Sequence, residues 1–347
     1  MRVKTVLVIQ CGALGDLICS TSVIDAVVRQ FGKDTRIDFV CKPGPGGLFA
    51  LDHRVNRVFN LSHCKWPVWL SPGKRNIVRS SMVSPYDVLI NFGGGSQFKG
   101  LVEKVCARQK VGFYGSEDHF PQGMHMVDAL KRIYARAVDE EHLWQSFPSL
   151  VGTPVDDVTN AYGLEDRYIV ISPSNSHHNQ KKINHRAWDD RRWSELIEAL
   201  NRDIQVVVVG SRNEGRFFDG LRPFPSGVVD LVGKTSIADL VGVIEGARGL
   251  IATDTGTAHM ASATGTEVFA LIGPTPAWVT GPYQGPANKV HIISSNLPCS
   301  PCYKTEIMKK CRDNLCMKGI SSSDVYTKVV ASCLAGKRLQ DKKSAAS

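Results

Sequence analysis

The residues able to do chemistry in this sequence stand where an apolar run ends in a glycine turn. In "CGALGD", Cys11 to Asp16, the turn closes on an aspartate just ahead of an amphipathic stretch. That carboxylate has two readings. It can accept backbone N–H groups at the start of the helix, with Gly12 and Gly15 making a tight turn, or it can take a proton from a hydroxyl as a general base. The segment lacks the middle glycine of G-x-G-x-x-G that lets a backbone approach a pyrophosphate, which argues against a dinucleotide site. The second such place is "GLIATDTGTAHMASATG". A buried strand there delivers Asp254, Thr255, Gly256 and Thr257 to a helix mouth, where free N–H groups and the positive dipole end suit a diphosphate. Asp254 can accept from sugar hydroxyls, the threonines can donate to oxygens, and His259 follows two residues beyond the second of them. Simple capping by Asp254 or Thr257, with His259 only packing on the helix, is the competing reading.

Cations stand close behind another strand end in "HHNQKKINHRAWDDRRW", which holds Lys181, Lys182, Arg186, Arg191 and Arg192. At least one of these could neutralise phosphate, while most are expected to be solvated surface charge. His177 and His178 are adjacent and lack a third ligand at useful spacing, so metal is not expected on them. Glu214 lies just past the strand "VVVVGS", where an acid often holds ribose hydroxyls, and an ordinary first-turn glutamate is the alternative. Lys99, after "NFGGGSQF", either faces an acceptor or is a solvated helix residue. Cys299, Cys302, Cys311 and Cys316 form C-x2-C-x8-C-x4-C, a set that could hold a structural zinc or iron, or remain reduced thiols.

These residues need strands and helices to place them, and short Val, Ile and Leu runs do alternate with helix-period segments along the whole chain. Strands are predicted at "TVLVIQ", "RIDFVCK", "VNRVFNL", "YDVLINF", "RYIVISPS", "IQVVVVGS", "GLIAT" and "EVFALIG". Helices are predicted from Leu17 to a stop at Gly32, from about Phe98 to Arg108, about Asp128 to Val138, around Trp193 to Leu200, after Ser236, before Gly265, and from about Ser323 to Leu334. The unpatterned "FPSLVGTPVDD" marks a boundary, giving domains at 1–155 and 156–335, while the polar tail 336–347 is expected to lack order. Two Rossmann-like halves predict a cleft lined by strand carboxyl ends.

With 347 residues and 43% of them hydrophobic, the chain can fill two cores. Lysine and arginine total 42 against 33 acids, a net charge of +9 that favours anionic partners. Nucleic acid is disfavoured among them because the basic residues form no aromatic-interleaved stripe. The apolar start resembles a signal peptide only until Gln10, Gly12 and Asp16 interrupt it, and no run approaches the ~20 residues of a membrane span. Most of the 10 cysteines stand singly in apolar segments, which suits a reducing cytoplasm.

Taken together, "GALGD", "VGKTSIADL", "TDTGTAHMASATGTEVFALIGPT", "TGPYQG" and the terminal "CSPC…C…CM" resemble the heptosyltransferases of glycosyltransferase family nine, from Thr5 to about Leu334. The resemblance implies an α/β GT-B fold, with an acceptor-side first domain and a nucleotide-sugar donor domain second. It implies inverting transfer of heptose from ADP-heptose to a hydroxyl of a lipopolysaccharide inner-core or similar glycolipid acceptor, without a catalytic metal or cofactor. Asp16 then corresponds to the base, Glu214 to the ribose-contacting acid, and Asp254, Thr255 and Gly256 to the donor loop, with Thr257 and His259 beside it. The family's phosphate-binding lysine, two residues before a tryptophan, is replaced here by Arg186, with Lys182 as the neighbouring substitute. Gln10 stands where the family usually has arginine. The expected location is cytoplasmic, peripheral on the inner membrane. A GT-B sugar-nucleotide epimerase and a non-catalytic nucleotide-sugar-binding protein are the competing functions.

Overall fold

The computed structural model describes residues 4–113, 123–175 and 183–334, apart from the Arg216 side chain. Lys181, Lys182, His177, His178 and the 336–347 tail, singled out above, lie outside the described residues. The chain divides into two compact units, Met1–Gly152 and Thr153–Ser347.

In the first unit the strands are β1 (Thr5–Ile9), β2 (Arg36–Cys41), β3 (Val55–Asn60), β4 (Tyr86–Asn91) and β5 (Ala107–Gly112). All pair in parallel, in the order β3-β2-β1-β4-β5. The helices are α1 (Leu14–Ser20), α2 (Ser22–Phe31), α3 (Pro72–Val83), α4 (Ser96–Lys104), α5 (Met126–Tyr134) and α6 (Glu140–Trp144). Leu7, Ile9, Val40 and Leu89 from the sheet and Phe98, Leu101 and Val102 from α4 share one core.

The second unit has β6 (Tyr168–Ser172), β7 (Gln205–Val208), β8 (Val229–Asp230), β9 (Leu250–Thr253), β10 (Val268–Leu271) and β11 (Val290–Ile293). Their order is β11-β10-β9-β6-β7-β8, again parallel. Its helices are α7 (Val155–Tyr162), α8 (Asp190–Leu200), α9 (Gly215–Phe218), α10 (Ile237–Glu245), α11 (Gly256–Ala263), α12 (Ala277–Thr280), α13 (Glu306–Lys310), α14 (Leu315–Lys318) and α15 (Ser322–Val329). Trp188 and Trp193 meet edge to face at 4.7 Å in its core, with Ile169, Ile171 and Val206. Each sheet reverses its winding beside its own first strand, and the carboxyl ends flanking such a reversal form a natural binding crevice.

Several elements differ from the sequence expectations for definite reasons. The helix expected to run from Leu17 to Gly32 is two helices that break at Thr21. Ser20, Thr21 and Ser22 each turn a hydroxyl back onto the carbonyl three residues earlier, at 2.7, 2.7 and 3.5 Å, which competes with the helical ladder. The helix expected through Arg108 stops at Lys104, and Ala107 opens β5, whose outer residues are polar as befits an edge strand. Helix α3 begins with Ser71 capping the Lys74 N–H and Pro72 in the first turn, a signal not used above. Helix α7 occupies part of the proline-bearing stretch read as linker.

Candidate functional site

In the first unit the winding reverses between β1 and β4, and the turn after β1 leads into α1, whose first turn carries Asp16. Asp16 is the third residue of α1, half-buried, and its Oδ2 accepts the Ala13 N–H at 2.8 Å. Gln10 frames the same turn, accepting the Gly12 N–H at 3.1 Å and donating from Nε2 to the Asp16 carbonyl at 3.5 Å. One carboxylate oxygen is thereby fixed, and Oδ1 has no hydrogen-bond partner among the described residues. Gly12 is required by this packing, because a Cβ there would lie 2.5 Å from Asp16 Oδ2. Across the reversal, β4 leads through Phe92 and three glycines into α4, which carries an exposed Lys99 in its first turns.

In the second unit the reversal lies between β6 and β9, and most of the remaining site residues gather at those two strand ends. Thr257 Oγ1 donates to Ser172 Oγ at 2.9 Å, spanning the reversal. Since that bond uses the only Thr257 hydroxyl proton, Thr255, 2.6 Å away, is the donor to Thr257. The two threonines thus point a hydroxyl chain at the end of β6. Gly256 starts α11, whose first turn has no side-chain cap and leaves its N–H groups directed outward. Asp254 faces Arg186, with Nη1 to Oδ2 at 3.4 Å and both side chains largely buried. Asp254 Oδ2 and Arg186 Nε are nonetheless without hydrogen bonds among the described residues. Buried polar atoms left this way in a crevice have capacity for a ligand. His259 is buried in the first turn of α11.

Glu214 is held from two sides. Its Oε2 accepts from Ser174 Oγ and from the Ser211 N–H, each at 2.8 Å. Ser172, Ser174 and Tyr303 contact these candidate residues and were missed in the sequence. The serines follow a strand end in "VISPSNS", a usable signal; Tyr303 gave none, because it reaches the site from a distant loop. Its ring lies 4.7 Å from the Arg186 guanidinium.

That loop is the cysteine segment. The N–H groups of Cys302 and Tyr303 both donate to the Pro274 carbonyl at 2.9 Å, at the end of β10. His185 Nε2 lies 3.2 Å from the Cys311 carbonyl, next to Arg186. Gly273 admits this packing, since a Cβ on it would meet Cys316 Sγ at 2.8 Å. Cys316 is pushed up to about 11, by burial first and then by the Cys302, Cys299 and Cys311 thiols, so those three lie within electrostatic range of it. Among the described residues, however, no three His, Cys, Asp or Glu side chains converge closely enough to hold a metal ion. Nor does any described helix have the length and apolarity to cross a membrane.

Residues 100–312 match the sequence model of glycosyltransferase family 9 (heptosyltransferase). The chain is similar to lipopolysaccharide heptosyltransferase 1 of Pseudomonas aeruginosa, 25% identical over 96% of this chain and 99% of that protein. It is also similar to lipopolysaccharide heptosyltransferase 3 of Escherichia coli, 24% identical over 75% of this chain and 80% of that one. Among solved structures, a family 9 glycosyl transferase from Veillonella parvula superposes with a TM-score of 0.79 at 16% identity, covering 96% of this chain and 99% of that one. The Escherichia coli ADP-heptose lipopolysaccharide heptosyltransferase II does so at 0.74 and 17%, with the same coverage. With its two parallel-sheet units, its GT-B fold and this match, the chain belongs to glycosyltransferase family 9 and is a glycosyltransferase.

Proposed function

We propose that the chain transfers a heptose from ADP-heptose to a hydroxyl of a lipopolysaccharide inner-core or similar glycolipid acceptor, with inversion at the anomeric carbon. The observation that carries this reading is the crevice at the end of β9, where the uncapped α11 start, the Arg186–Asp254 pair and the Thr255–Thr257–Ser172 chain stand together. In this reading the donor diphosphate lies on the N–H groups of Gly256 and Thr257 and against Arg186. Arginine serves there as well as lysine, since its fork can hold two phosphate oxygens. Glu214, fixed by Ser174 and Ser211, takes the ribose hydroxyls, and Asp254 accepts from the sugar. Thr257 and His259 stand beside this donor loop, His259 buried within α11.

Asp16 is the general base. Its open oxygen takes the acceptor hydroxyl proton, the acceptor oxygen bonds to the anomeric carbon from the face opposite the diphosphate, and the bond from that carbon to the phosphate oxygen breaks. ADP leaves with the electron pair. Arg186 and the helix amides meet the charge that develops on the departing phosphate, so the step as proposed calls on no metal. Base and donor contacts thus come from different units. Lys99 and the Gly12–Gly15 turn belong to the acceptor side. With a glycolipid acceptor, the enzyme would work as a peripheral protein on the cytoplasmic face of the inner membrane.

The cysteine loop has a structural part in this scheme. It seats Tyr303 against Arg186 and His185 against Cys311, so an ion gathered by Cys299, Cys302, Cys311 and Cys316 after side-chain rotation would brace the donor site from behind. A structurally similar glycosyltransferase of enterotoxigenic Escherichia coli, TM-score 0.56, is iron-containing. One zinc or iron per chain by elemental analysis supports the metal; a metal-free chain with full ADP affinity removes it.

Thermal stabilisation by a panel of nucleotide-sugars tests the donor. At a hundredfold excess over Kd, ADP-heptose should add about 2.7 kcal/mol to the unit that binds it, raising Tm by roughly 5–10 °C. UDP-, GDP- and CDP-sugars should add little. Equal effects across the panel would overturn the assignment.

A further inference from the structure

The segment joining β3 to α3 presents two indole rings to solvent. Trp69 is 71% exposed, Trp66 40% and Leu70 45%, whereas Val68 between them is buried in the core of the first unit. The segment is not slack. Lys74, itself fully buried, donates from Nζ to the carbonyls of Cys64, Trp66 and Gln97, each at 2.7 Å. All three ammonium protons are used to bind the tryptophan segment to the start of α4. Burying that charge is costly, and burial pulls the Lys74 pKa down, so the fold meets a real penalty to hold this segment in one shape. His63 stacks on Trp66 at 4.0 Å and Arg75 donates to the Trp69 carbonyl at 3.3 Å. Under the indoles is a cavity of about 550 Å³, lined by Trp66 and Trp69 together with three lysines, Lys65, Lys74 and Lys104, and by no carboxylate. Lys65 and Lys104 are exposed at its rim.

A pair of exposed indoles on a tied segment, with two exposed lysines beside them, is the combination that suits the boundary of an anionic bilayer. Indole prefers the headgroup level, where its flat apolar body is covered and its N–H stays wet. Each lysine near an anionic surface adds attraction, and the two contributions together give what neither gives alone. We propose that Trp66, Trp69 and Leu70 seat the chain on an anionic lipid bilayer, with Lys65 and Lys104 over the headgroups. This deepens the peripheral attachment in the proposed function and rests on that reading only for the glycolipid nature of the acceptor.

The test uses the full chain and vesicles free of any saccharide acceptor or donor, made of phosphatidylcholine and phosphatidylglycerol in equal parts, against pure phosphatidylcholine. The wild-type chain should sediment with the anionic vesicles and not the neutral ones. Trp69→Ala should weaken partitioning about tenfold. The double variant Lys65→Ala and Lys104→Ala should weaken it about thirtyfold at low ionic strength, an effect that salt erases. Circular dichroism should be unchanged in all of them, as the replaced side chains are exposed. Transfer to a water-soluble acceptor saccharide should be unaltered by Trp69→Ala. Vesicle binding that is absent in the wild type, or equal in the variants, overturns the proposal. So does a fall in soluble-acceptor turnover by Trp69→Ala with vesicle binding intact, which would make the indoles a sugar platform. A chain that docks in this way but transfers no heptose would leave this surface standing and remove the proposed function.

Discussion

Replacing Asp16 by asparagine removes a base while leaving a hydrogen-bond acceptor in place. The asparagine Oδ1 can take the Ala13 N–H that now donates to Asp16 Oδ2 at 2.8 Å. What the helix loses is one negative charge in its first turn, worth about 0.3–1 kcal/mol. In a unit of this size that lowers Tm by roughly 1–4 °C. The chemistry loses far more, since a positioned general base contributes about 10²–10⁴ in rate. ADP release at saturating donor and acceptor should therefore fall by at least about a hundredfold. ADP affinity should stay as it was, because every donor contact proposed above lies in the second unit. Gly12→Ala gives the complementary perturbation. It keeps the carboxylate but adds a Cβ that would lie 2.5 Å from Oδ2, so Asp16 must turn away. Turnover should fall comparably. Asp16→Asn with more than about a tenth of wild-type turnover would contradict the base assignment, and a collapse of Tm would reduce Asp16 to a helix-stabilising residue.

Arg186→Ala should weaken ADP binding by calorimetry at least about tenfold, because Asp254 is left facing the diphosphate without its cation, and Arg186→Lys should fall between. Glu214→Gln should weaken ADP about tenfold and narrow its preference over deoxyribose analogues, while Tm changes little. Glu267 is raised by burial, but hydrogen bonds from Ser332, His291 and Cys333, with Lys289 nearby, outweigh this and hold it below the usual 4.5. Its stabilising effect is present above that value and fades as pH drops through the lower folded one. Glu267→Gln should thus lower Tm at neutral pH by an amount that shrinks to nothing in strong acid, as a pH series of melting curves would record. Lys74→Met should destabilise the first unit by roughly 2–4 kcal/mol, because three carbonyls lose their donor at once, and protease nicking should then appear between Cys64 and Trp69.

The central strands could be read from the sequence because they are buried on both faces and so form unbroken apolar runs, as "TVLVIQ" and "IQVVVVGS" do. Of the edge strands only β3, "VNRVFNL", could. β5 reads "ARQKVG", and β8 is the two residues Val229–Asp230, so neither carries the pattern of a packed strand. The break at Thr21 was hidden because periodicity tracks the buried face and is blind to hydroxyls folding back on the ladder. In the site, Asp16, Arg186, Glu214 and Asp254 could be named because each sits at a strand end or behind one. Where they meet was beyond sequence spacing: Glu214 with Ser174, 40 positions apart, and Arg186 with Tyr303 are encounters of the fold alone. For the four cysteines, close spacing suggested a ligand cage, and among the described residues no three such side chains converge on one point.

The measurement closest to the central claim is a mixture of the purified chain, ADP-heptose and a glycolipid acceptor, followed by nuclear magnetic resonance of the products. One ADP should be released per new glycosidic bond, none without acceptor, and the product should have an anomeric configuration opposite to that of the donor. An epimerised ADP-sugar formed without acceptor, or a product that retains the donor configuration, would contradict it.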